Sequence, residues 1–423
     1  MAQLAELAEL AQLAELVERR RTSGALAPAG EAAGEHPRRP GEPGPLDLLV
    51  VQPTPFCNLD CDYCYLPDRA NKARIAPATL DRLFAWVFES GLARNRFTVV
   101  WHAGEPMVLP PAFYAEALAA LVRHNGAGVE VAHAFQTNAT LVDDAWCDFI
   151  AAHGIRIGVS VDGPDFLNDR RRRTRSGRGT HARVVAGMRR LRAHGIPFHV
   201  ITVLTHASLD YPDEIYDFYV EHGIEEIGFN VEEIEGPNVR STLAGPDVGA
   251  RYREFLARFF DLATRRENPL RVREFDSTIA AVLHGGRSDP PPTQESHPFA
   301  IVSVDHRGDF TTFSPELLGL ASERYGPFAL GNVATHSLAD AMASPHFAAI
   351  ARDVAAGIAR CRESCAYFPW CGGGAPANKV FENGTFDSTE TLFCRLTRRA
   401  MLDVVVDKLG PRGAALAPWD GVA

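Results

Sequence analysis

Three closely spaced cysteines constrain the fold more than any other feature of this sequence. Cys57, Cys61 and Cys64 are separated by three and then two residues, and the aromatic Tyr63 precedes the last of them. A structural zinc site would need a fourth ligand, and no other cysteine lies nearby. Three thiolates can hold three corners of a [4Fe–4S] cluster and leave one iron open to a small molecule. The spacing therefore predicts an iron–sulfur site with an open coordination position.

The composition is that of a large protein with an acidic charge balance. The chain has 423 residues, and its 46% of hydrophobic residues suffice for one large core and a smaller one. A formal net charge of −10 argues against nucleic-acid or anionic-membrane partners. No apolar run is long enough to predict a membrane span. Clustered cysteines without a secretory signal predict metal ligation in a reducing cytoplasm.

Short apolar runs alternate with helical patterns over the first half of the chain. The first run, Leu46 to Gln52, leads directly into the cysteine loop, and a segment such as His181 to His194 shows the helical spacing of apolar residues. Six strands separated by helices predict a parallel sheet curled into a partial (β/α)6 barrel of TIM type. The other five predicted strands are Phe97–Trp101, Val129–Phe135, Ile155–Val161, Phe198–Leu204 and Glu226–Asn230.

Polar side chains follow each of the six predicted strands. In a β/α barrel the loops after the carboxyl ends of the strands carry the chemistry, so these side chains predict a ligand site at the mouth of the barrel. Besides the three cysteines, the candidates in chain order are Gly104, Glu105, Gln136, Asn138, Ser160, Asp162, Thr202, Thr205, Asn230, Glu232 and Glu233.

The three-cysteine loop resembles the signature of the radical S-adenosylmethionine (SAM) enzymes, which is Cys-x3-Cys-x2-Cys with an aromatic residue before the last cysteine. His102 to Pro106, read as His-Ala-Gly-Glu-Pro, is similar to the glycine–glutamate motif that receives the amino group of SAM in that family, with Ala103 in place of the usual first glycine. For the other arginines of the run from Arg170 to Arg173 we expect solvated side chains. The SAM contacts that the resemblance implies are Tyr63, Gly104, Glu105, Gln136, Asn138, Ser160 and Arg172.

A second cysteine group lies in the last third of the chain: Cys361, Cys365, Cys371 and Cys394. Four thiolates can close an iron–sulfur cluster, and four-cysteine zinc sites use similar spacing. The context from Cys361 to Gly374 resembles the SPASM extension of peptide-modifying radical SAM enzymes, which usually has seven cysteines and two auxiliary clusters. Phe313 and Ala375 stand where that extension has further cysteines. The resemblance therefore implies one auxiliary [4Fe–4S] cluster in addition to the SAM-binding one.

Three further stretches resemble the cyclophane-forming branch of radical SAM/SPASM peptide maturases, which acts on glycine-rich repeat precursors. They are Gln52 to Cys57, Phe229 to Gly236, and Gly372 to Lys379. The resemblance implies a precursor-peptide substrate and an external electron donor of the flavodoxin or ferredoxin type. In the implied reaction a 5′-deoxyadenosyl radical removes hydrogen from a Cβ, and the carbon radical attacks an aromatic ring. The ring then loses an electron to the auxiliary cluster and a proton to a carboxylate, for which Asp162, Glu232 and Glu233 are the candidates.

These readings divide the chain into five parts. A barrel over residues 46–240 follows a helical, low-complexity arm and flexible linker at 1–45, which is too short for a separate leader-binding domain. A helical bridge at 241–290 leads to a small cysteine-rich SPASM-type domain with a C-terminal helix at 291–410, and residues 411–423 form a tail.

Two other functions fit parts of the sequence. Oxidation of a sulfatase serine or cysteine to formylglycine would use the same barrel and first cluster, but such enzymes keep both auxiliary clusters. A non-catalytic, zinc-stabilised peptide-binding scaffold would explain the four C-terminal cysteines. It would leave the three-cysteine loop unexplained, so we expect an enzyme.

Overall fold

The computed structural model describes residues 43–265, 269–283 and 293–410. The predicted arm, nearly all of its linker and the predicted tail at 411–423 lie outside these ranges, as do short parts of the predicted bridge. Both cysteine groups and all predicted site residues lie within them.

Ten strands form one sheet, in the order β12-β9-β8-β1-β2-β3-β4-β5-β6-β7. Strands β1 to β6 are parallel and lie side by side in chain order. The predicted α/β class with a six-stranded parallel core is thereby confirmed. The strands of this sheet are β1 (Leu48–Val51), β2 (Arg96–Trp101), β3 (Glu130–Thr137), β4 (Arg156–Ser160), β5 (Phe198–Leu204), β6 (Glu226–Val231), β7 (Arg271–Val272), β8 (Ile301–Val304), β9 (Asp309–Thr312) and β12 (Gly331–Asn332); β10 (Ala321–Ser322) and β11 (Gly326–Pro327) form a separate pair.

Helices connect the parallel strands and bury one apolar face each, as helical spacing requires. Several of them begin with proline in the first turn, where the missing N–H has no intrahelical partner to lose. Within the described ranges, no helix has both the length and the apolar character needed to cross a membrane. The helices are α1 (Pro77–Glu89), α2 (Pro111–His124), α3 (Asp144–His153), α4 (Asp165–Arg171), α5 (His181–Ala193), α6 (Pro212–Glu221), α7 (Val248–Ala263), α8 (Arg273–Leu283), α9 (Leu338–Ala343), α10 (Pro345–Ser364), α11 (Phe368–Cys371), α12 (Pro376–Asn383) and α13 (Met401–Leu409), with a π-helix at Cys394–Ala400.

The C-terminal third is joined to the barrel by the sheet itself. Strand β8 pairs in parallel with β1, with Val50 opposite Ser303, and β9 then pairs antiparallel with β8. The Trp86 ring of α1 lies 4.9 Å from the Phe310 ring of β9, and its indole N–H donates to the carbonyl of His336 at 2.9 Å. The sheet thus continues past residue 290, where we place a domain boundary; that division remains a prediction.

Candidate functional site

The three-cysteine loop follows β1 and is held in place by the arginine-rich loop after α4. The amide of Asp60 donates to the carbonyl of Arg173 at 2.7 Å, and the Arg175 guanidinium donates to the carbonyl of Cys57 at 2.8 Å. Arg171, which the sequence suggests is solvated, pairs instead with Asp62 at 2.9 Å and keeps only 19% of its side chain exposed. Several of these arginines therefore fix the shape of the loop.

Two of the three thiols of this loop, those of Cys57 and Cys61, have raised pKa values. Desolvation is the main cause that raises the pKa of Cys57 and of Cys61 to about 12, and the nearby Glu105 carboxylate contributes to the value at Cys57. All three cysteines are partly accessible and none forms a disulfide. Thiols in this state lose their protons when they bind a metal, so the loop has the donor chemistry that an iron–sulfur cluster requires.

Glu105 ties the loop after β2 to the end of β3. Its buried carboxylate accepts hydrogen bonds from the Thr137 hydroxyl at 2.7 Å, the Asn138 amide at 2.8 Å and the Met107 amide at 3.0 Å. Desolvation raises the pKa of Glu105 to about 7. Since a carboxylate has about four acceptor positions, one remains open on Glu105.

Gly104 allows the loop that carries Glu105 to lie against the cysteine loop. Its φ is +119°, and a Cβ at this position would lie 2.2 Å from the carbonyl oxygen of Thr54. The Glu105 amide donates to the carbonyl of Phe56 at 2.9 Å. Only glycine meets both the conformational and the spatial demand, so this position brings the carboxylate beside Cys57.

Tyr63, within the cysteine loop, forms a hydrogen-bonded cluster with the buried side chains of Asp162 and Arg172. The Tyr63 hydroxyl donates to Asp162 at 2.5 Å, and the Arg172 guanidinium donates to the other carboxylate oxygen at 2.9 Å and lies 5.4 Å from the Tyr63 ring centroid. The amide of Val203 also donates to Asp162, at 3.0 Å. Asp162 is thus occupied by an ion pair and two further hydrogen bonds, although the sequence marks it as a candidate proton acceptor.

The remaining predicted SAM contacts lie on adjacent strands. The Gln136 side-chain amide on β3 donates to the Ser160 hydroxyl on β4 at 2.9 Å. The Asn138 side-chain amide donates to Asn58 in the cysteine loop at 2.9 Å and lies 3.9 Å from the Cys57 sulfur. The structure therefore brings these side chains together with the three cysteines, while their contact with SAM remains a prediction.

Glu232 and Glu233, at the end of β6, differ in their surroundings. Glu232 accepts from the Thr242 amide at 2.7 Å and lies 3.6 Å from Arg171. Glu233 accepts from the side-chain amide of Asn378 on α12 at 2.6 Å, and desolvation raises its pKa to about 8. Among the three predicted proton acceptors, Asp162 and Glu232 are each paired with an arginine and Glu233 is held by a neutral amide.

Sequence reasoning missed Glu235 as a member of this site. The same Asn378 amide nitrogen donates to Glu235 at 3.1 Å, and desolvation together with the Glu233 charge holds the pKa of Glu235 well above its ordinary value. Glu316 lies near this pair, and desolvation raises its pKa to about 7. In extended backbone, residues two apart point to the same side, so the Glu-Ile-Glu spacing was the signal that could have paired Glu233 with Glu235.

The four C-terminal cysteines line one cavity of about 200 Å³. Cys361 lies in the last turn of α10 and Cys365 follows its end, Cys371 ends α11, and Cys394 begins the π-helix. Within the described part of the chain, no three His, Cys, Asp or Glu side chains converge on a single metal ion. Cluster ligands bind different irons, so that finding concerns single-ion sites. Four thiols around one cavity suit a [4Fe–4S] cluster.

Apolar side chains occupy the positions of the missing SPASM cysteines. Phe313 is 1% exposed and has a φ of +73°, and Ala375 is 6% exposed. Among the described residues, the four C-terminal cysteines line one cavity, which Ala375 also lines, and Phe313 is packed in the hydrophobic core.

Residues 51–219 match the profile of the family described as the radical SAM superfamily. An uncharacterized protein of Synechocystis sp. is 43% identical over 370 residues, which cover 86% of this chain and 92% of that protein. The serine-type anaerobic sulfatase-maturating enzyme of Klebsiella aerogenes is 32% identical over 203 residues, which cover 48% of this chain and 50% of that enzyme.

Two solved structures support the fold. Native anSMEcpe with bound AdoMet has a TM-score of 0.69 at 18% identity, covering 87% of this chain and 99% of that one. Streptococcus suis SuiB bound to its precursor peptide SuiA has a TM-score of 0.57 at 17% identity, covering 82% of this chain and 76% of that one. Both likenesses extend over the barrel and the C-terminal region.

Proposed function

Because the chain belongs to the radical SAM superfamily, we propose that it modifies a ribosomally made precursor peptide by joining an aromatic ring to a nearby Cβ, which closes a cyclophane. The chain is an enzyme whose cofactors are SAM and [4Fe–4S] clusters. The substrate and the bond formed are the proposed parts.

One observation carries the choice of reaction. All four C-terminal cysteines line a single cavity, and Phe313 and Ala375 stand where the resemblance implies further cysteines of a second auxiliary set. The cyclophane branch resembles this chain in Gln52 to Cys57 and Gly372 to Lys379. Sulfatase-maturating enzymes are expected to keep both auxiliary sets, so the single cavity favours crosslinking.

Cys57, Cys61 and Cys64 would hold the first cluster and leave one iron for SAM. Bound there, the cluster and SAM supply the 5′-deoxyadenosyl radical that removes a hydrogen atom from the peptide. Glu105 offers its remaining acceptor position to the amino group of SAM. Tyr63 and Arg172 each donate a hydrogen bond to Asp162. These bonds would hold both side chains in fixed positions along one side of the same site.

Gly104, Gln136, Asn138 and Ser160 complete the proposed SAM contacts. Gly104 supplies close backbone approach, and the Gln136–Ser160 hydrogen bond fixes two polar groups on neighbouring strands. Their positions are set before any ligand binds, which reduces the ordering cost of binding.

Glu233 is the proton acceptor in this proposal. Aromatic substitution requires the ring to lose one proton and one electron after the new bond has formed. A base works best when its pKa lies near the operating pH, and the pKa of Glu233 is raised to about 8. Asp162 and Glu232 are occupied by arginines, whereas the Asn378 amide can hold Glu233 in place in either protonation state.

The four C-terminal thiols would hold the group that takes up the electron. An external donor of flavodoxin or ferredoxin type would supply the electron that starts each cycle, in the cytoplasm. We propose no nucleic-acid or membrane partner, in keeping with the net charge of −10.

The experiment uses anaerobically reconstituted protein, SAM, dithionite and a synthetic glycine-rich repeat peptide that contains aromatic residues. The expected product has lost two hydrogen atoms and resists fragmentation between the joined residues in tandem mass spectrometry. With a Cβ-deuterated peptide, deuterium should appear in 5′-deoxyadenosine. A linear product, or deuterium confined to the peptide, would contradict crosslinking.

Formylglycine formation is the second candidate, because a named curated relative matures sulfatases and matches 48% of this chain. Oxidation of serine to formylglycine also removes two hydrogen atoms, so mass alone does not separate the two reactions. A sulfatase-type serine peptide should give a product that a hydrazide traps if this candidate is correct. A cyclophane carries no aldehyde and gives no adduct.

A further inference from the structure

Lys379 is a buried cation beside the auxiliary site. It lies on α12, its exposed fraction is 3%, and its Nζ is 3.5 Å from the Cys361 sulfur. Lys379 and Cys361 line the same cavity as the other three C-terminal cysteines. The ammonium group is therefore positioned against a cluster ligand and away from solvent.

Among the described residues, no carboxylate forms an ion pair with this ammonium group within 4.0 Å; the charge of Lys379 helps to lower the pKa of Asp387, but that carboxylate pairs with Arg360 at 2.6 Å. Lys408, by contrast, lies on the surface and pairs with Asp261 at 2.6 Å. Burying an ammonium ion without a counter-charge is costly. A cluster held by four thiolates carries a net negative charge and would supply that counter-charge. The buried ammonium group is therefore a second reason, besides the four cysteines, to expect an anionic group in this cavity.

Arg399 is the second cation at this site, and it differs in being neutralised. Its Nη2 lies 3.8 Å from the Cys365 sulfur, while its Nη1 pairs with Glu390 at 2.5 Å. Around the first cysteine loop the charges are mixed: Glu105 and Asp162 raise the pKa of nearby thiols and Arg172 lowers it. Lys379 is thus the one cation beside the C-terminal thiols without a described carboxylate partner.

We propose that Lys379 is a positioning residue whose fixed positive charge, held against Cys361, raises the reduction potential of the auxiliary cluster and so suits it to accept an electron. Adding an electron makes the cluster more negative, and a cation at short range stabilises that reduced state more than the oxidised one. The inference rests on the proposed function, in which this site takes up the electron lost by the peptide.

The test is a redox titration of the auxiliary cluster, followed by electron paramagnetic resonance. The full chain carries Ala at Cys57, Cys61 and Cys64, so that the first cluster contributes no signal. We expect Lys379→Gln to shift the midpoint to lower potential and Lys379→Arg, which keeps the charge, to stay close to the parent. Lys408→Gln, which removes a remote surface charge, should leave the midpoint unchanged.

An unchanged midpoint in Lys379→Gln would overturn the proposal, as would equal shifts in Lys379→Gln and Lys379→Arg. Loss of iron from both Lys379 variants, but not from Lys408→Gln, would mean that the side chain acts through packing and would also overturn it. Loss of iron from Lys379→Gln alone, with a parental midpoint in Lys379→Arg, would support the need for the charge. The titration contains no peptide, so its failure is distinguishable from a failure of crosslinking.

Discussion

The two cysteine regions of this protein differ in ligand number and in charge. The first is a loop with three thiols among mixed charges, with the carboxylates of Glu105 and Asp162 and the guanidinium of Arg172 beside it. The second is a cavity with four thiols, beside the cations of Lys379 and Arg399. Three ligands leave a coordination position open, whereas four leave none.

This difference separates two tasks in one chain. An open iron can bind and reduce a small molecule, so the first region suits SAM cleavage. A closed site beside an uncompensated cation suits uptake of an electron. We therefore propose that the surrounding charge, together with the number of thiols, distinguishes a site that gives an electron from one that takes it.

The largest predicted effect is that replacing one cysteine in each region abolishes a different product. Cys57→Ala removes a ligand of the open site, so 5′-deoxyadenosine release from SAM should fall to the level without enzyme. Cys394→Ala should keep SAM cleavage but lose the crosslinked peptide, because the ring cannot pass on its electron. Both products are measured by liquid chromatography and mass spectrometry. Crosslinking by Cys394→Ala, or SAM cleavage by Cys57→Ala, would show that the tasks are not divided in this way.

The next effect concerns Glu233, the proposed proton acceptor. Glu233→Gln keeps the shape of the side chain but removes its basicity, so we expect crosslinking to slow by about 100-fold or more. Hydrogen abstraction, measured as deuterium in 5′-deoxyadenosine, should persist. Glu225→Gln changes an exposed glutamate just before the same strand and should behave like the parent. Equal loss of abstraction and crosslinking in Glu233→Gln would point to a structural defect.

The pH dependence of crosslinking follows from the same carboxylate. Desolvation raises the pKa of Glu233 to about 8, and the group titrates together with the neighbouring Glu235, so at lower pH the pair holds its protons and loses its capacity to accept one from the ring. The rate of crosslinking per 5′-deoxyadenosine should therefore rise as the pH increases through about 8 and level off above it. A ratio that stays constant across this range would exclude Glu233 as the acceptor.

A smaller effect concerns the buried ion pair between Asp162 and Arg172 in the first region. Asp162→Asn leaves the Arg172 charge buried without its partner at 2.9 Å, which should lower the free energy of unfolding by about 3–5 kcal/mol. Urea unfolding of the metal-free protein measures this. Asp213→Asn removes the partner of the solvent-exposed Arg258 and should have little effect. Similar losses in the two variants would contradict a special role for the buried pair.

The smallest predicted effect concerns the backbone that places Glu105. Gly104→Ala must adopt a φ of +119° and bring its Cβ against the Thr54 carbonyl, which should cost about 1–3 kcal/mol of stability. Gly91→Ala has a φ of +72° with no atom within 4 Å of the added Cβ, so the strain of the left-handed conformation alone applies, about 1 kcal/mol. If Gly91→Ala is the less stable variant in urea, the close approach at Gly104 has been overestimated.

The sequence predicted the parallel core well, because buried strands and amphipathic helices leave regular patterns. The predicted strand Phe198–Leu204 coincides with β5, and the predicted helix at His181 begins there. The third strand was predicted to end at Phe135 but continues to Thr137, because the polar Gln136 and Thr137 still satisfy the ladder with β4. The two polar residues at its end are thus the reason why the strand was predicted to be too short.

The candidate site was predictable where its residues follow strand ends and not where distant segments meet. The Asn378–Glu235 contact spans 143 residues of sequence, and no local pattern indicates it. Lys379 reads in sequence as an ordinary helix residue, and only the fold places it beside Cys361. The pairing of β8 with β1 likewise depends on tertiary packing.

The measurement that tests the central claim most directly is the iron and sulfide content of the reconstituted protein, with electron paramagnetic resonance in the presence and absence of SAM. We expect about eight irons per chain and two signals, of which SAM changes only the one lost in Cys57→Ala. In Cys394→Ala the SAM-sensitive signal should remain. About four irons, with zinc at the C-terminal cysteines, would contradict the account of the second electron, and a SAM-insensitive first signal would contradict the assignment of the open site.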